Sequence, residues 1–131
     1  MKPTEILSSE HRVIEQVLDC LESMAQIARD RHSVDAAPAR QAVRFLRTFA
    51  DTCHHHKEED RLFPMLYERG MPRGVGPVAV MLDEHETGRR LIREMAESID
   101  AAVAGNAKAP ALFSDQAFAY VHLTSIPAIL R

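Results

Sequence analysis

Apolar residues recur every three or four positions through most of this chain, and no stretch alternates as a β-strand does. This period places apolar side chains on one face of a helix, where neighbouring helices can cover them. Residues 4–30, 37–69 and 78–104 carry the repeat, and a shorter segment begins near residue 110. The pattern predicts an all-α fold, an antiparallel up-down four-helix bundle whose last helix is short or irregular.

The same repeat predicts which side chains form the core. Pro64 should kink the second helix or begin a new turn, because proline lacks a backbone donor. Gly88 should leave room beside the imidazole of His85. The expected core residues are Leu7, Ile14, Leu18, Leu21, Ala25, Ala28, Val43, Leu46, Phe49, Ala50, Cys53, Met81, Leu82, Leu91, Ile92, Met95, Ile99, Phe113, Phe118, Ala119 and Val121.

The composition is that of a soluble globular protein. A length of 131 residues predicts one domain over residues 1–131, with charged residues at 27% and a net charge of -3. No basic patch favours nucleic acid, and no leader or long apolar stretch favours a membrane, so we expect a cytoplasmic protein. Cys20 and Cys53 form no CxxC pair and are expected to be small core residues rather than a disulfide.

Residues 54–64 read HHHKEEDRLFP and point to a metal. On a helix, His54 and Glu58 project from one face, as do His55 and Glu59, so an imidazole and a carboxylate can reach one ion together. Such pairs suit iron, zinc or manganese. A solvated helix face is the competing interpretation, because a short motif is a hypothesis until its structural context is known.

Histidines on two other helices can join this pair inside a bundle. His11 lies on the apolar stripe of the first helix, and His85 lies on that of the third. An inward Glu58 would carry a large desolvation cost unless a cation neutralised it. Each histidine alone could instead be a core residue bonded to a carbonyl. The acidic residues around His85 are expected to form a solvated face, although one could hold a ring N–H; they are Asp83, Glu84 and Glu86.

Three segments together resemble the hemerythrin-like HHE cation-binding domain family: residues 10–15 (EHRVIE), 54–64, and 76–89 (GPVAVMLDEHETGR). The resemblance is closest to bacterial di-iron proteins, including iron-centre repair proteins. It implies a four-helix bundle holding two bridged irons, with ligands in the order His, HxxxE, His, HxxxE. Carried over by position, the implied ligands are His11, His54, Glu58 and His85, with His55 and Glu59 as a shifted alternative for the second-helix pair.

The fourth-helix HxxxE of that family is missing. Its histidine would fall at about Pro127, and no acidic residue follows Asp115. His122 could substitute, and His32 could reach the end of the bundle, although an exposed loop position is expected for His32. The tail resembles a truncated, divergent or frame-shifted end. One iron or zinc with water is then easier to hold than two irons, unless the partner chain of a homodimer supplies ligands or covers an exposed apolar face.

The sequence therefore predicts a non-haem metal-binding protein of hemerythrin-like type, most simply for iron. Its partner would be a small diatomic ligand, in dioxygen or nitric oxide sensing or in iron handling. The alternative is a helical interaction or structural domain with a degenerate or mononuclear structural metal site. Hydrolysis at a single metal is a third hypothesis, supported only by the ligand-rich core. No separate catalytic base or substrate pocket is visible, so enzymatic activity is left open.

Overall fold

The computed structural model describes residues 3–49 and 57–125. This part of the chain contains helices and connections but no strand, which confirms an all-α helical bundle. None of its helices combines the length and apolar character needed to cross a bilayer. The up-down order and the single domain remain predictions. The helices are α1 (Pro3–Arg31), α2 (Ala36–Phe45), α3 (Phe63–Glu68), α4 (Pro77–Val103) and α5 (Ala109–Ser125).

The predicted second helix is not a regular α-helix. After α2 the chain passes through a π-helical turn at residues 46–49, and a π-helical segment runs over Glu58–Leu62 before α3 begins. Pro64 stands in the first turn of α3, where its missing N–H leaves no helical hydrogen bond unmade. This agrees with the prediction that Pro64 kinks the second helix or begins a new turn, and the π-helical pitch of two described segments was not predicted.

The main core lies where α5 packs against α1 and α4, with α2 covering α4 from another side. The stripe predicted for α1 is buried from Ile14 to Ala28, with Leu21 and Ala25 fully inaccessible. Phe113 and Tyr120 of α5 are also fully buried, and the Ser114 hydroxyl donates to the Ala25 carbonyl of α1 at 2.9 Å. Apolar burial at these contacts supplies the main driving force for the fold.

Three core predictions are wrong. Cys20 is exposed, because it precedes Leu21 and lies about 100° around the helix from that buried position. Leu82 is exposed for the same reason beside Met81. Ala119 is exposed, since the inner face of α5 is formed by Phe113, Ala117 and Tyr120. Ala50, Cys53 and the side chain of Leu7 lie outside the described part of the structure.

Gly88 lies at the contact between α4 and α5, where its missing side chain leaves room for residues of α5 rather than for the imidazole of His85. A Cβ at this position would lie 3.4 Å from Cε2 of Tyr120 and 3.8 Å from Cδ2 of Leu123. The missing side chain thus lets the Tyr120 ring approach the α4 backbone. The expectation that Gly88 makes room beside His85 is corrected accordingly.

A second, smaller apolar cluster joins α3 to the first half of α4. Phe63, Val78 and Met81 are buried in it, and partly buried side chains surround them: Leu62, Leu66, Tyr67 and Met71. This cluster fixes the end of the π-helical segment against α4. It thereby determines where the acidic residues of that segment meet the histidine of α4.

Candidate metal centre

His85 occupies the inner face of α4, as the sequence predicts. Met81 and Gly88 share that face one turn before and one turn after it, and only 6% of the His85 surface is accessible. The Phe63 ring stacks on the imidazole with 6.0 Å between centroids and 17° between planes. Packing therefore holds the imidazole plane in a defined orientation.

Two consecutive carboxylates approach opposite nitrogens of this ring. Oε2 of Glu59 lies 2.7 Å from Nδ1 of His85, and Oε1 of Glu58 lies 3.4 Å from Nε2. Successive side chains of an α-helix diverge by about 100°, which tends to send one of two neighbours away. The i to i+5 bonding of the π-helical segment makes each turn wider and reduces this angle. Both carboxylates can therefore face the same imidazole.

Arg89 extends the network from Glu59 to the surface. Its Nη2 donates to Oε2 of Glu59 at 2.7 Å, and its Nη1 donates to Oε1 of Glu86 at 2.8 Å. Burial alone would raise the pKa of Glu59, but the hydrogen bonds from His85 and Arg89 and their charge lower it below its ordinary value. Glu59 is therefore ionised near neutral pH.

The ionised state of Glu59 determines which nitrogen of His85 carries a hydrogen. A carboxylate can only accept, so Nδ1–H donates to Oε2 of Glu59. In the neutral ring Nε2 then presents its lone pair toward the Glu58 carboxylate oxygen. Two acceptors 3.4 Å apart in a largely buried setting repel each other unless something positive lies between them.

An ion pair brings α1 to the same place. The Lys57 ammonium contacts Oε2 of Glu10 at 2.8 Å, with 32% and 13% of the two side chains accessible. Lys57 directly precedes Glu58, and Glu10 directly precedes His11. The backbone of His11 thus lies beside the segment that carries Glu58, although its side chain is outside the described part of the structure.

The remaining candidates are placed as follows. His54 and His55 fall outside the described residues. His32 is exposed in the connection after α1 with a left-handed φ of 53°, and His122 is exposed on α5. Within residues 3–49 and 57–125, no group of three or more His, Cys, Asp or Glu side chains is assembled around one point. Among the residues that the structure describes, Glu58 and Glu59 both approach His85, Glu58 at Nε2 and Glu59 at Nδ1.

Two residues near His85 differ from what the sequence indicates. Asp83 and Glu86 are exposed as predicted, but Oε1 of Glu84 is buried, so this residue does not belong to a solvated face. Arg89 was not singled out, although it follows His85 by one helical turn. Its bond to Glu59 joins residues 30 positions apart, and no local pattern signals such a contact.

The lowered pKa of Glu59 predicts how stability depends on pH. A carboxyl group with a lower pKa in the folded state stabilises the protein above its unfolded pKa of about 4.3. That contribution is lost as the pH falls through the lower folded value. We expect Glu59→Gln to flatten this part of the profile, measured by urea denaturation at a series of pH values from 3 to 7. An unchanged profile would contradict the assigned network.

A family model described as the hemerythrin HHE cation binding domain matches residues 2–123, which includes every helix up to the last turn of α5. No curated protein and no solved structure matches the chain. The match bears out the resemblance drawn from residues 10–15, 54–64 and 76–89, while the narrower likeness to iron-centre repair proteins remains a prediction.

Proposed function

The chain belongs to the hemerythrin HHE cation-binding domain family, and from this premise we propose that it is a non-haem iron-binding protein. The proposed ligands are His11, His54, Glu58 and His85. A small diatomic molecule, dioxygen or nitric oxide, would occupy an open position on the iron. Zinc is the alternative ion for this donor set, because it accepts the same imidazole and carboxylate groups.

One observation carries this proposal: Nε2 of His85 and Oε1 of Glu58 face each other across 3.4 Å. With Nδ1–H donated to Glu59, both facing atoms are electron-pair donors when the imidazole is neutral. A cation between them converts a repulsive contact into two favourable ones. The donor types are those that iron and zinc select, so the described residues fit the group that the family implies.

The geometry supports Glu58 over Glu59 as the ligand. Metal-bound histidines usually donate their second ring N–H to a carboxylate or carbonyl, which fixes the tautomer and raises the basicity of the ligating nitrogen. Glu59 is the carboxylate that accepts this second N–H, from Nδ1 of His85. Glu58 in turn follows His54 by four residues, so the unshifted pair of the motif is the one that fits.

The surrounding residues would restrict and orient the centre. Phe63 stacks on His85, and the apolar cluster around it limits access of water from the α3 side. Iron, when bound, supplies reversible ligand binding or one-electron redox chemistry. The chain supplies the buried setting, the fixed imidazole and the charge of Glu58. Its described donors favour one ion, and a second would need ligands from elsewhere, such as a partner chain.

Elemental analysis of the purified protein, with an absorption spectrum before and after exposure to air, tests the proposal. We expect iron to co-purify with the wild type and Glu58→Ala to lose it, because the variant removes one donor and the charge that offsets the cation. Asp60→Ala is the matched control, since Asp60 lies in the same segment and is exposed. Equal metal content in all three proteins would contradict the assignment.

A structural or interaction domain without iron is the second candidate. It is favoured by the two contacts of His85 with Glu58 and Glu59, which an ion pair can account for without a metal. A proton on Nε2 would then bridge His85 to Glu58, as an ordinary ion pair. Here the melting temperature would be independent of chelator, whereas loss of a bound ion lowers it in the iron-binding protein.

A further inference from the structure

The apolar surface of α1 is wider than the face that the bundle buries. Each buried residue from Ile14 to Ala28 is directly preceded by another apolar residue, so a second stripe runs about 100° around the helix from the core. The α1 stripe consists of Val13, Val17, Cys20, Met24 and Ile27. We propose that it is the contact surface for a second copy of this chain, in a two-fold dimer whose α1 helices are antiparallel.

The two flanks of the buried face of α1 differ in character. The residues that directly follow the buried positions are all polar, namely Glu15, Asp19, Glu22, Gln26 and Arg29. The Arg29 guanidinium lies 4.5 Å above the Phe118 ring, so this polar flank borders α5. A helix that buries only one face needs polar residues on both of its flanks. An apolar flank on one side alone therefore indicates a contact outside the bundle core.

The bundle covers the α1 stripe only in part. Val17 and Met24 are partly buried against the main core, whereas Val13 is 42% exposed and Ile27 is 47% exposed. Cys20 is exposed between them. Apolar side chains exposed singly are ordinary on a protein surface, but a continuous apolar line marks an interaction site. The stripe is accessible at both ends and in the middle, so a partner can lie along its whole length.

The spacing of the α1 stripe is that of a seam between two helices. Its residues follow one another at intervals of four, three, four and three, which is the pattern with which one helix packs along another. From Val13 to Ile27 this seam is about 21 Å long, at a rise of about 1.5 Å per residue. The partner that fits is another helix with the same seam, and α1 of a second copy has it.

The charges beside the α1 stripe favour a second copy in antiparallel orientation. Arg12 and Asp30 lie on the same outer edge of the stripe, near its opposite ends. A two-fold axis midway between Cys20 and Met24 would bring Arg12 of each copy to within about 3 Å, along the helix, of the level of Asp30 in the other. A parallel pair would place Arg12 beside Arg12 and Asp30 beside Asp30, and these like charges repel each other. Charge complementarity therefore selects the antiparallel pair.

The length of the seam determines how strong the dimer can be. Two helices in contact over about 21 Å lie at the low end of specific interfaces, since stable complexes bury at least about 1,200 Å². We therefore expect a reversible dimer with a dissociation constant in the micromolar range. None of the proposed iron ligands belongs to the α1 stripe, so the dimer should form with or without iron.

Sedimentation equilibrium at protein concentrations from about 1 µM to about 1 mM tests the dimer. We expect Ile27→Glu to weaken it at least about tenfold, because a charge would be buried in the apolar seam. Leu112→Glu is the matched control, since Leu112 has the same size and is 50% exposed but lies on α5. Both variants replace an exposed side chain, so both should remain folded, which circular dichroism checks.

An exchange of charges at low ionic strength tests the orientation. Arg12→Glu should weaken the dimer about threefold, and adding Asp30→Arg should restore it, because the attraction returns with its signs exchanged. A protein that is monomeric at every concentration would overturn the proposal and leave the α1 stripe to a different protein. So would equal effects of Ile27→Glu and Leu112→Glu, or no weakening by Arg12→Glu. Loss of the dimer in Glu58→Ala would also overturn it, because it would indicate an assembly bridged by iron.

Discussion

Replacing Glu59 with alanine should weaken iron binding by about 10- to 100-fold while leaving the number of ions bound at saturation unchanged. Glu59 accepts Nδ1–H of His85 at 2.7 Å and is itself held by Arg89. Its removal frees the tautomer and the orientation of the ring but deletes none of the proposed ligands. Glu59→Gln should give a smaller loss, because the amide oxygen still accepts from Nδ1 without the charge. Equilibrium competition with a chelator measures both.

Glu58→Ala makes this comparison decisive. If Glu58 is the ligand, this variant should lose the ion, whereas Glu59→Ala should only bind it more weakly. The shifted pair, His55 with Glu59, predicts the reverse order. Glu86→Ala is the control for disturbing Arg89 alone, since the Glu86 side chain is 75% accessible and does not contact the imidazole.

Tyr120→Ala should lower the free energy of unfolding by about 3–5 kcal/mol, as truncation of a fully buried aromatic side chain does. Tyr120 is completely inaccessible, and its ring packs against Gly88 where α4 and α5 meet. Truncation leaves a cavity between the two helices, and this cavity adds to the lost apolar burial. Urea denaturation followed by circular dichroism gives the change.

Tyr67→Ala is the matched control for Tyr120→Ala. Tyr67 is the chain's other tyrosine, is only partly buried, and carries the Arg73 guanidinium 4.0 Å above its ring. Its loss should cost about 1 kcal/mol, mostly from a partly exposed cation–π contact and some packing. Comparable losses in the two variants would mean that the contact between α4 and α5 is not the main support of the bundle.

The sequence predicts α1 well and α5 poorly, for a physical reason. In α1, apolar residues such as Leu18 and Leu21 alternate with charged ones, so only one face can be buried. In α5, apolar residues surround the helix, with Phe118, Ala119 and Val121 next to the buried Tyr120. Periodicity cannot select a face when most faces are apolar, and the packing partners decide it.

In the candidate centre too, local sequence patterns predict some of the features and not others. The spacing of the motif singled out Glu58 and His85, which lie 3.4 Å apart in the structure, because a His–Glu pair four residues apart and a histidine on an apolar stripe are local patterns. The bond from Arg89 to Glu59 spans two helices and has no local signature. The approach of Glu58 and Glu59 to one ring also depends on a helical pitch that spacing rules for α-helices do not contain.

The number of residues in the π-helical segment Glu58–Leu62 helps to determine which side chains face His85. A π turn accommodates one residue more than an α turn, so the segment behaves as a one-residue insertion ahead of α3. Deleting a single residue there would replace the π turn with an α turn and rotate one carboxylate away from the imidazole. Every ligand type would still be present in the sequence. A homologue that keeps each motif letter but is shorter by one residue at this point could thus have a different electrostatic environment around its histidine.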